Sequence, residues 1–396
     1  MIAWLAAPAF ALSLDEVRSR ASEQAIEVER ARASAEIADA IAWDVTAGAL
    51  PSVVGFADWS TGSGTTSFGF ERPVRTQWGF GAQATWQAID PARWAAASSA
   101  RRSAAGQEAL FAWAQVVARS QATASYAAVL AEQEVVVALQ RAYDDAQRQE
   151  EAASSYVDAG LRPPADRAQA RADRQGAYAA LVGSQGEVVA LCAFLQSLVR
   201  LDVTGTCDLQ PVAWVDPVPS GDEHPAIVAA SEALASAKAL RTAAGLDFAP
   251  TIGATGIVAA YIVDGSSGFG WNVGVGLDLP LVTGGSRLAN LSGTKAAKDE
   301  AEAALDAQRK DIDALRLGGQ ARLAAARARL ESLQAAEESA DEALRLVEER
   351  YDAGLEDISV WLQARRTRDL AAVAVARGQA DLGRAIAEVE AALGTW

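Results

Sequence analysis

Side chains able to act as nucleophiles or metal ligands are few in this 396-residue chain. It has one histidine, His224, and two cysteines, Cys192 and Cys207, which do not form a CxxC pair. A Cys/His metal centre needs several such ligands at close spacing, so we predict no metal and no other cofactor. For an exported protein we predict a disulfide between the two cysteines, and two free buried thiols are the alternative.

Motifs for enzymatic chemistry are also missing from the sequence. It has no GxxxxGK[ST] loop and no pair of metal-binding histidines. The glycines of Gly268-Phe269-Gly270 alternate with larger residues, as on one face of a strand, and not as in a nucleotide loop. The neighbouring carboxylates Asp311 and Asp313 lie in a charged helical segment and are best explained as solvated. The chain is therefore predicted not to be an enzyme.

The charge and the apolar content restrict the class of protein. The formal net charge is −16, which argues against nucleic-acid binding because that function needs a basic surface. Hydrophobic residues make up 51% of the chain, enough for a large core. No run of about 18 uncharged apolar residues is evident, so we expect no membrane-spanning helix. Any insertion into a membrane would then use β-strands.

The first eleven residues resemble the apolar part of a secretory signal peptide. Ala9 and Ala11 form an A-x-A cleavage site, although the basic segment that normally precedes the apolar part is missing. We interpret 1–11 as the remnant of a signal peptide, with an ordinary apolar helical turn as the alternative.

Two short motifs recur at one spacing. Asp158–Leu161 has the same four residues as Asp352–Leu355, and Gln169–Arg171 matches Gln363–Arg365 at the same offset of 194 positions. Two matches in one register indicate that the chain contains two copies of one unit.

Each copy has the same order of elements: a helix, two strands, a very long helix, a glycine turn and another helix. A proline-containing linker separates the copies, since Pro211, Pro217 and Pro219 disfavour helix there. The first predicted repeat is 12–203, with a helix at about 13–48, a β-hairpin at about 51–89 and long helices at about 91–200. A linker follows at 204–224. The second predicted repeat is 225–396, with a helix at about 225–246, a β-hairpin at about 250–282 and long helices at about 284–393.

The second strand of each predicted hairpin alternates strictly between large apolar residues and small or polar ones. This period of two predicts a strand with one apolar face and one small or polar face. Glycine-rich loops at Thr61–Gly64 and Asp264–Gly268 are expected to join the strands of each pair. The large apolar residues are Trp78, Phe80 and Trp86 in the first copy and Phe269, Trp271, Val273, Val275 and Leu277 in the second.

Two runs of about seventy residues, 90–160 and 283–354, contain no proline after Pro91 and are predicted to be long helices. In the second run, residues spaced by three and four form a heptad seam, the pattern of helices that pack side by side. Helices of this length cannot be stabilised by a small globular core. The seam consists of Leu323, Ala326, Leu330, Leu333, Glu337, Ala340, Leu344, Val347 and Tyr351.

These features together resemble the TolC-like outer-membrane efflux protein family. The helix-to-strand junctions Leu50–Val53 and Ala249–Ile252 both contain a proline, and Leu279–Ser286 resembles the family's L-P-hydrophobic-x-x-G-G junction. Ala88–Trp94 resembles the corresponding junction of the first repeat. The resemblance covers essentially the whole chain after the signal segment.

The resemblance implies a mixed α and β membrane protein. Four transmembrane β-strands per protomer would complete a trimeric twelve-stranded barrel, and long α-helical coiled-coil hairpins would form a tube in the periplasm. The implied function is the outer-membrane channel of a tripartite efflux or type I secretion system in a Gram-negative bacterium. The implied partners are two further copies of the chain, a periplasmic adaptor (membrane fusion) protein, an inner-membrane transporter and outer-membrane lipid. A periplasmic coiled-coil adaptor is the alternative, although an adaptor normally has one helical hairpin and this chain has two.

The resemblance also suggests which residues contact lipid and which form the gate. The large apolar residues of the second strands would face lipid, and Asn272, Gly274 and Gly276 would face the lumen. In the family the tube closes beside the helix-hairpin turns, where TolC carries acidic lumen residues. Asp166 is expected either to face solvent or to pair with Arg167, Arg171, Arg365 or Arg366. The gate candidates by register are Asp158, Gly160, Asp166 and Gln169 in the first copy and Asp352, Gly354, Val360 and Gln363 in the second.

Overall fold

The protein consists of long helices and one antiparallel sheet. The computed structural model describes residues 11–65, 71–218, 223–263, 265–281 and 284–394, so all of the proposed signal segment at 1–11 except Ala11 lies outside the described residues. The elements are α1 (Leu14–Gln24), α2 (Ile26–Ala47), β1 (Ser52–Thr65), β2 (Glu71–Ile89), α3 (Pro91–Asp158), α4 (Pro164–Leu198), α5 (Pro225–Leu246), β3 (Thr251–Val263), β4 (Ser266–Asp278), α6 (Ser286–Asp352) and α7 (Ile358–Leu393).

The two predicted long helices are present as α3, of 68 residues, and α6, of 67 residues. Pro91 is the first residue of α3, a position where the missing proline N–H costs no helical hydrogen bond. The helix predicted at about 13–48 is instead two helices, because Ala25 between α1 and α2 has an extended ψ of 143°. The break contains neither proline nor glycine, so no residue type there indicates it.

Both helical hairpins turn through the same backbone geometry. Gly160 has a φ of +71° and Gly354 a φ of +73°, a left-handed conformation that favours glycine. In each turn the following leucine donates its N–H to a carbonyl five residues earlier, Leu161 to Tyr156 and Leu355 to Arg350, both at 2.9 Å. The two copies seen in the sequence are therefore copies of one local structure.

The sheet has four antiparallel strands in the order β1-β2-β3-β4. Its strands are longer than expected. The predicted loop Thr61–Gly64 belongs to β1, where a register shift between Gly62 and Gly64 accommodates the glycines. The second predicted loop is also shorter, because β4 already begins at Ser266, directly after Gly265 with its φ of +84°.

The chain divides into two compact units, each assembled from both sequence repeats. Unit 1 comprises 1–31, 111–225 and 310–396, and unit 2 comprises 32–110 and 226–309. The repeat boundaries proposed from the sequence describe an internal duplication, whereas these units describe which segments pack together.

The core of unit 1 joins the N-terminal segment, the linker and the long helices. Tyr126 is fully buried, and its hydroxyl lies 2.9 Å from the Leu12 carbonyl oxygen and 2.7 Å from that of Gln210. Leu12 also pairs with the linker, donating its N–H to the Asp208 carbonyl at 2.8 Å. The linker is thus a structural part of unit 1.

The predicted heptad seam of α6 is confirmed along its whole length. Each of its nine residues is buried or half-buried, and every other residue from Arg322 to Arg350 is exposed. Helix α7 covers part of this stripe, since an added Cβ at Gly378 would lie 3.0 Å from Leu333 and 3.3 Å from Leu330. Small residues on α7 therefore let the two helices approach closely.

In unit 2, the first turns of α3 pack against α5. Ser99 and Ser236 share a hydrogen bond of 2.9 Å between their hydroxyls, and Arg102 pairs with Glu232 at 3.2 Å. An added Cβ at Gly106 would lie 3.5 Å from the Ala229 carbonyl oxygen, so the helices are close here too.

Helices α3 and α4 each contain an 18-residue window that is long and apolar enough to cross a membrane. Such a window admits up to two charged residues, whereas the sequence has no uncharged apolar run of about 18 residues, so the expectation that no helix spans a membrane stays a prediction. Composition does not distinguish a spanning helix from one that packs along its length. Both helices contribute to the core of unit 1, through Tyr126 and Val129 of α3 and Leu195 of α4.

Candidate functional site

The register of the sheet sorts its side chains into two faces. Directly paired residues of antiparallel strands project to the same side. Trp78 pairs with Trp59 on one neighbouring strand and with Ile262 on the other, and Phe80 pairs with Ala260, which pairs with Phe269. All predicted apolar positions of β2 and β4 therefore lie on one face. We call it the apolar face: Val53, Ala57, Trp59, Trp78, Phe80, Trp86, Ile252, Val258, Ile262, Phe269, Trp271, Val273, Val275 and Leu277.

Large side chains of the apolar face are exposed. On β4, Trp271 is 74% exposed and Val275 is 77% exposed. Trp78, Phe80 and Trp86 on β2 are also exposed, and Trp78 stacks on Phe80 with ring centroids 6.4 Å apart. A contiguous apolar surface of this kind needs an apolar environment or a partner.

The opposite face carries glycines and polar residues. We call it the small-residue face: Ser52, Val54, Phe56, Asp58, Gln77, Gly79, Gly81, Gln83, Thr85, Thr255, Ile257, Tyr261, Gly268, Gly270, Asn272, Gly274, Gly276 and Asp278. Its larger side chains lie over glycines of the next strand. An added Cβ at Gly81 would lie 2.7 Å from the Phe56 ring, and at Gly268 it would collide with the Tyr261 ring. Glycine is needed at these positions because the neighbouring side chains cross the sheet there.

Strands β1 and β4 form the two edges of the sheet, and each has one side without a partner strand in the described chain. Unpaired edge N–H and C=O groups cannot be satisfied in lipid. Four strands are too few to close a barrel by themselves. The sheet therefore has an apolar face suited to lipid and two edge strands that would need partner strands from other chains.

The gate candidates lie beside the two hairpin turns, and nothing in the structure assigns them a role. Asp166 is 7% exposed, and its N–H donates to the Pro163 carbonyl at 3.0 Å. The side chain of Asp352 lies outside the described part of the chain. The exposed candidates are Asp158, Gly160, Gln169, Gly354, Val360 and Gln363.

Within the described part of one protomer, Asp166 forms no ion pair with the arginines considered for it. Arg167 binds the Asp158 carboxylate, and Arg366 binds Asp173 at 2.9 Å. Trp361, which flanks the candidates, stacks on Tyr351 with ring centroids 5.4 Å apart and so packs within the protomer.

A buried arginine, whose burial no sequence pattern predicts, links the two hairpins. Arg365 of α7 is 4% exposed and donates to the Gln149 side-chain oxygen of α3 at 2.8 Å and to the Ala142 carbonyl. Burial lowers the pKa of Arg365, while nearby Asp369 favours its charged form. Burial raises the pKa of Asp369, although the adjacent positive charges of Arg368 and Arg365 act to lower it.

Further ion pairs join α3 to α7 and to α4. Arg368 binds Asp145 at 3.1 Å, and Arg174 binds Glu150 at 2.6 Å. Arg174 and Arg368 occupy the same position of the two repeats, since both lie three residues after the arginine of the repeated Gln-Ala-Arg motif. That correspondence is the one sequence feature that could have indicated the cluster.

Cys192 and Cys207 are paired in the structure, with their Cα atoms 5.7 Å apart. Cys192 is fully buried at the end of α4, and Cys207 belongs to the linker. The covalent bond stays a prediction, with a chemical test given below.

Comparisons with known proteins agree with the geometry of the sheet and helices. Residues 221–395 match the family described as outer membrane efflux protein. The chain is 30% identical over 191 residues to outer membrane protein OprJ of Pseudomonas aeruginosa, a match that covers 47% of this chain. The matched region spans 40% of the length of OprJ.

Solved channel structures share the fold along nearly the whole chain. The Campylobacter jejuni CmeC outer membrane channel superposes with a TM-score of 0.87 at 20% identity, covering 96% of this chain and 85% of that one. The outer membrane protein VceC of Vibrio cholerae superposes with a TM-score of 0.85 at 18% identity, covering 96% of each chain. The second part of the chain, residues 221–395, is thus similar to the outer membrane efflux protein family, and the fold of the chain is that of these solved outer-membrane channels.

Proposed function

We propose that this chain is one protomer of a homotrimeric channel, the passive exit duct of a tripartite efflux or type I secretion system. Substrates would enter from an inner-membrane transporter through a periplasmic adaptor protein. No bond is made or broken in this function. The similarity of residues 221–395 to the outer membrane efflux protein family supports a location in the outer membrane with the helices in the periplasm.

One observation carries the proposal: the sheet has an exposed apolar face and two unpaired edges. Strand β4 exposes Phe269, Val273 and Leu277 by 68–71%, a surface suited to hydrocarbon. Lipid excludes open sheet edges, so a membrane-embedded sheet of this kind needs further strands. Three copies supply twelve strands, and β4 of one copy would pair with β1 of the next.

The helical hairpins support the periplasmic part of the proposal. Helices α3 and α6 are far longer than a bilayer requires, and the seam of α6 is built for side-by-side packing. We place the hairpin turns at Gly160 and Gly354 at the inner end of the tube, where the gate candidates lie.

A periplasmic adaptor is not favoured. An adaptor would work in water, where an exposed face bearing Trp271, Val273 and Val275 favours aggregation. The presence of two helical hairpins also differs from the single hairpin expected of an adaptor.

Membrane fractionation, mass analysis and conductance together test the proposal. The protein is expressed with a complete export signal, extracted from outer membranes in detergent and examined by native mass spectrometry. We expect three copies per particle, and ion-conducting pores after reconstitution into planar bilayers. Recovery as a water-soluble monomer, or trimers that never conduct under any voltage, would contradict the duct.

A further inference from the structure

We propose that a groove in unit 1 binds an organic cation with an apolar body, and that Glu134 and Glu337 supply the negative charge that holds it. The groove belongs to a single chain, so binding there does not depend on the proposed duct. We call it the linker groove, and its lining includes Ala131, Glu134, Val212, Trp214, Glu337 and Val375.

Helices α3 and α7 and the linker form the apolar part of the groove. Ala131 of α3 and Val375 of α7 are 5% and 9% exposed. Trp214 of the linker lies against both helices, since a Cβ added at Gly383 of α7 would lie 2.6 Å from its ring and 2.6 Å from the Cβ of Ala127 of α3. The groove has a volume of about 490 Å³, which suits a drug-sized molecule.

Glu337 is the only polar residue in the heptad seam of α6. An apolar side chain there would continue the seam, as Leu333 and Ala340 do on either side. Instead, the half-buried carboxylate lines the linker groove, and it has neither a hydrogen-bond nor an ion-pair partner among the described residues. A carboxylate in such a place is stabilised by a positive charge in the groove.

Glu134 of α3 is a second carboxylate, at the exposed rim of the groove. The surrounding protein partly desolvates it, which raises its pKa. Within the described part of unit 1 it also lacks a hydrogen-bond or ion-pair partner. Of the described residues that line the groove, Arg141 is the only basic one, and it is exposed and paired with neither carboxylate. Two carboxylates thus face one guanidinium.

The lining determines the chemical class of the ligand. Carboxylates attract positive charge, more strongly where protein replaces water. The indole ring of Trp214 adds an aromatic surface, to which cations are also attracted. Val212 and Val375 suit apolar groups, which a simple inorganic cation would leave without a contact. Quaternary ammonium and phosphonium ions with aromatic substituents meet both requirements.

Calorimetric titration of the purified full-length protein in an uncharged detergent tests the inference. The probe is tetraphenylphosphonium, and tetraphenylborate is its counterpart of the same shape and opposite charge. Titration into protein-free detergent corrects for partition into micelles. We expect the phosphonium to bind about tenfold or more tightly than the borate, and Glu134→Gln and Glu337→Gln each to weaken phosphonium binding by about tenfold.

The matched control is Glu338→Gln, which removes a negative charge from the next position of α6, exposed and outside the groove lining. It should leave the affinity unchanged. Glu337→Leu separates binding from structure: it completes the apolar seam, so it should raise the free energy of unfolding while weakening phosphonium binding. Circular dichroism verifies that each variant is folded.

Equal affinity of the wild type for the two probes would overturn the inference, and so would unchanged phosphonium binding in both glutamine variants. A loss in Glu338→Gln as large as in Glu337→Gln would also contradict it, because the effect would then be one of overall charge. Folded wild type that binds no phosphonium would show that the groove is covered by another copy or a partner protein, or is no site. Each of these results leaves conductance, and with it the duct, to be decided separately.

Discussion

Arg365 and Arg366 are adjacent in sequence but have opposite environments. Arg365 is 4% exposed and contacts Gln149 and the Ala142 carbonyl, whereas the Arg366 side chain is 59% exposed and binds Asp173. Removing a buried charged partner leaves polar groups of the site uncompensated, whereas an exposed ion pair contributes little.

We therefore expect Arg365→Ala to lower the free energy of unfolding by about 3–5 kcal/mol and Arg366→Ala by about 0–1 kcal/mol. Chemical denaturation of the two variants in the same detergent measures the difference, with Arg366→Ala as the matched control. Equal losses for the two variants would show that Arg365 is not the buried link between the hairpins.

His224 should make the stability of unit 1 depend on pH. It is 1% exposed, its Nε2 lies 3.1 Å from the Ala391 carbonyl oxygen, and its ring lies 4.7 Å from that of Trp113. Burial, aided by the charge of Arg316, lowers the pKa of His224 below 6.5, while the hydrogen bond to Ala391 opposes this. The folded protein therefore holds His224 neutral at a pH where the unfolded chain is protonated.

The contribution of His224 is complete above the unfolded pKa of about 6.5 and is lost as pH falls toward the lowered folded pKa. His224→Gln retains a hydrogen-bond donor and cannot titrate. The difference in unfolding free energy between wild type and variant should therefore shrink as pH falls from about 7 to 5. Parallel stability curves over this range would refute the assignment.

The cysteine pair has a direct chemical test. Cys192 and Cys207 are 15 residues apart in the sequence. For a loop of this length, a disulfide is expected to stabilise the folded protein by about 3 kcal/mol in the chain-entropy model. Thiol titration of the exported, denatured and unreduced protein should find no free thiol. Two reactive thiols would mean that the pair is close but unbonded.

Individual residues show what sequence reasoning can and cannot predict. Repetition and periodicity identified Gly160, Gly354 and the alternating residues of β4, because backbone geometry restricts residue type at such positions. The burial of Arg365 could not be predicted, because it depends on which helices meet at that point. Neither alternative for Asp166 is seen within the described protomer, where Asp166 is 7% exposed and Arg366 binds Asp173 instead.

Elements with strong local patterns were predicted well. The seam of α6 matches burial at every one of its positions because a heptad repeat fixes one stripe of a helix. Strand ends were predicted less well, since Gly62 and Ser266 were assigned to loops and lie in strands. Pairing with the neighbouring strand overrides the low β-propensity of glycine there.

Strand β4 provides the sharpest prediction at the scale of an element. If its apolar face contacts hydrocarbon, Val275→Arg should cost about 2–4 kcal/mol near the bilayer midplane. Gly274→Ser, on the opposite face, should be much milder. Folding titrations into lipid vesicles measure both changes. A larger loss for Gly274→Ser would reverse the two faces.

At the scale of the whole molecule, neither membrane insertion nor assembly follows from one chain in isolation. The sheet order leaves β1 and β4 as edges, and their closure requires other copies. Sequence resemblance predicted a trimer, but the strands that would complete the ring belong to molecules outside this structure. A single protomer already shows the two faces of the sheet, the apolar face and the small-residue face, but not the closed ring of strands.

Nitroxide labels on β4 test most directly whether this sheet forms a membrane wall around a lumen. In a chain with Cys192 and Cys207 replaced by serine, single cysteines at Val275 and Gly274 carry the label, and collision with oxygen or with a water-soluble paramagnetic reagent is measured in lipid vesicles. We predict that the label at 275 collides mainly with oxygen, which concentrates in hydrocarbon, and that the label at 274 collides mainly with the aqueous reagent. Equal access of the aqueous reagent to both positions, or the reverse assignment, would contradict a lipid-facing apolar face and a lumen-facing small-residue face.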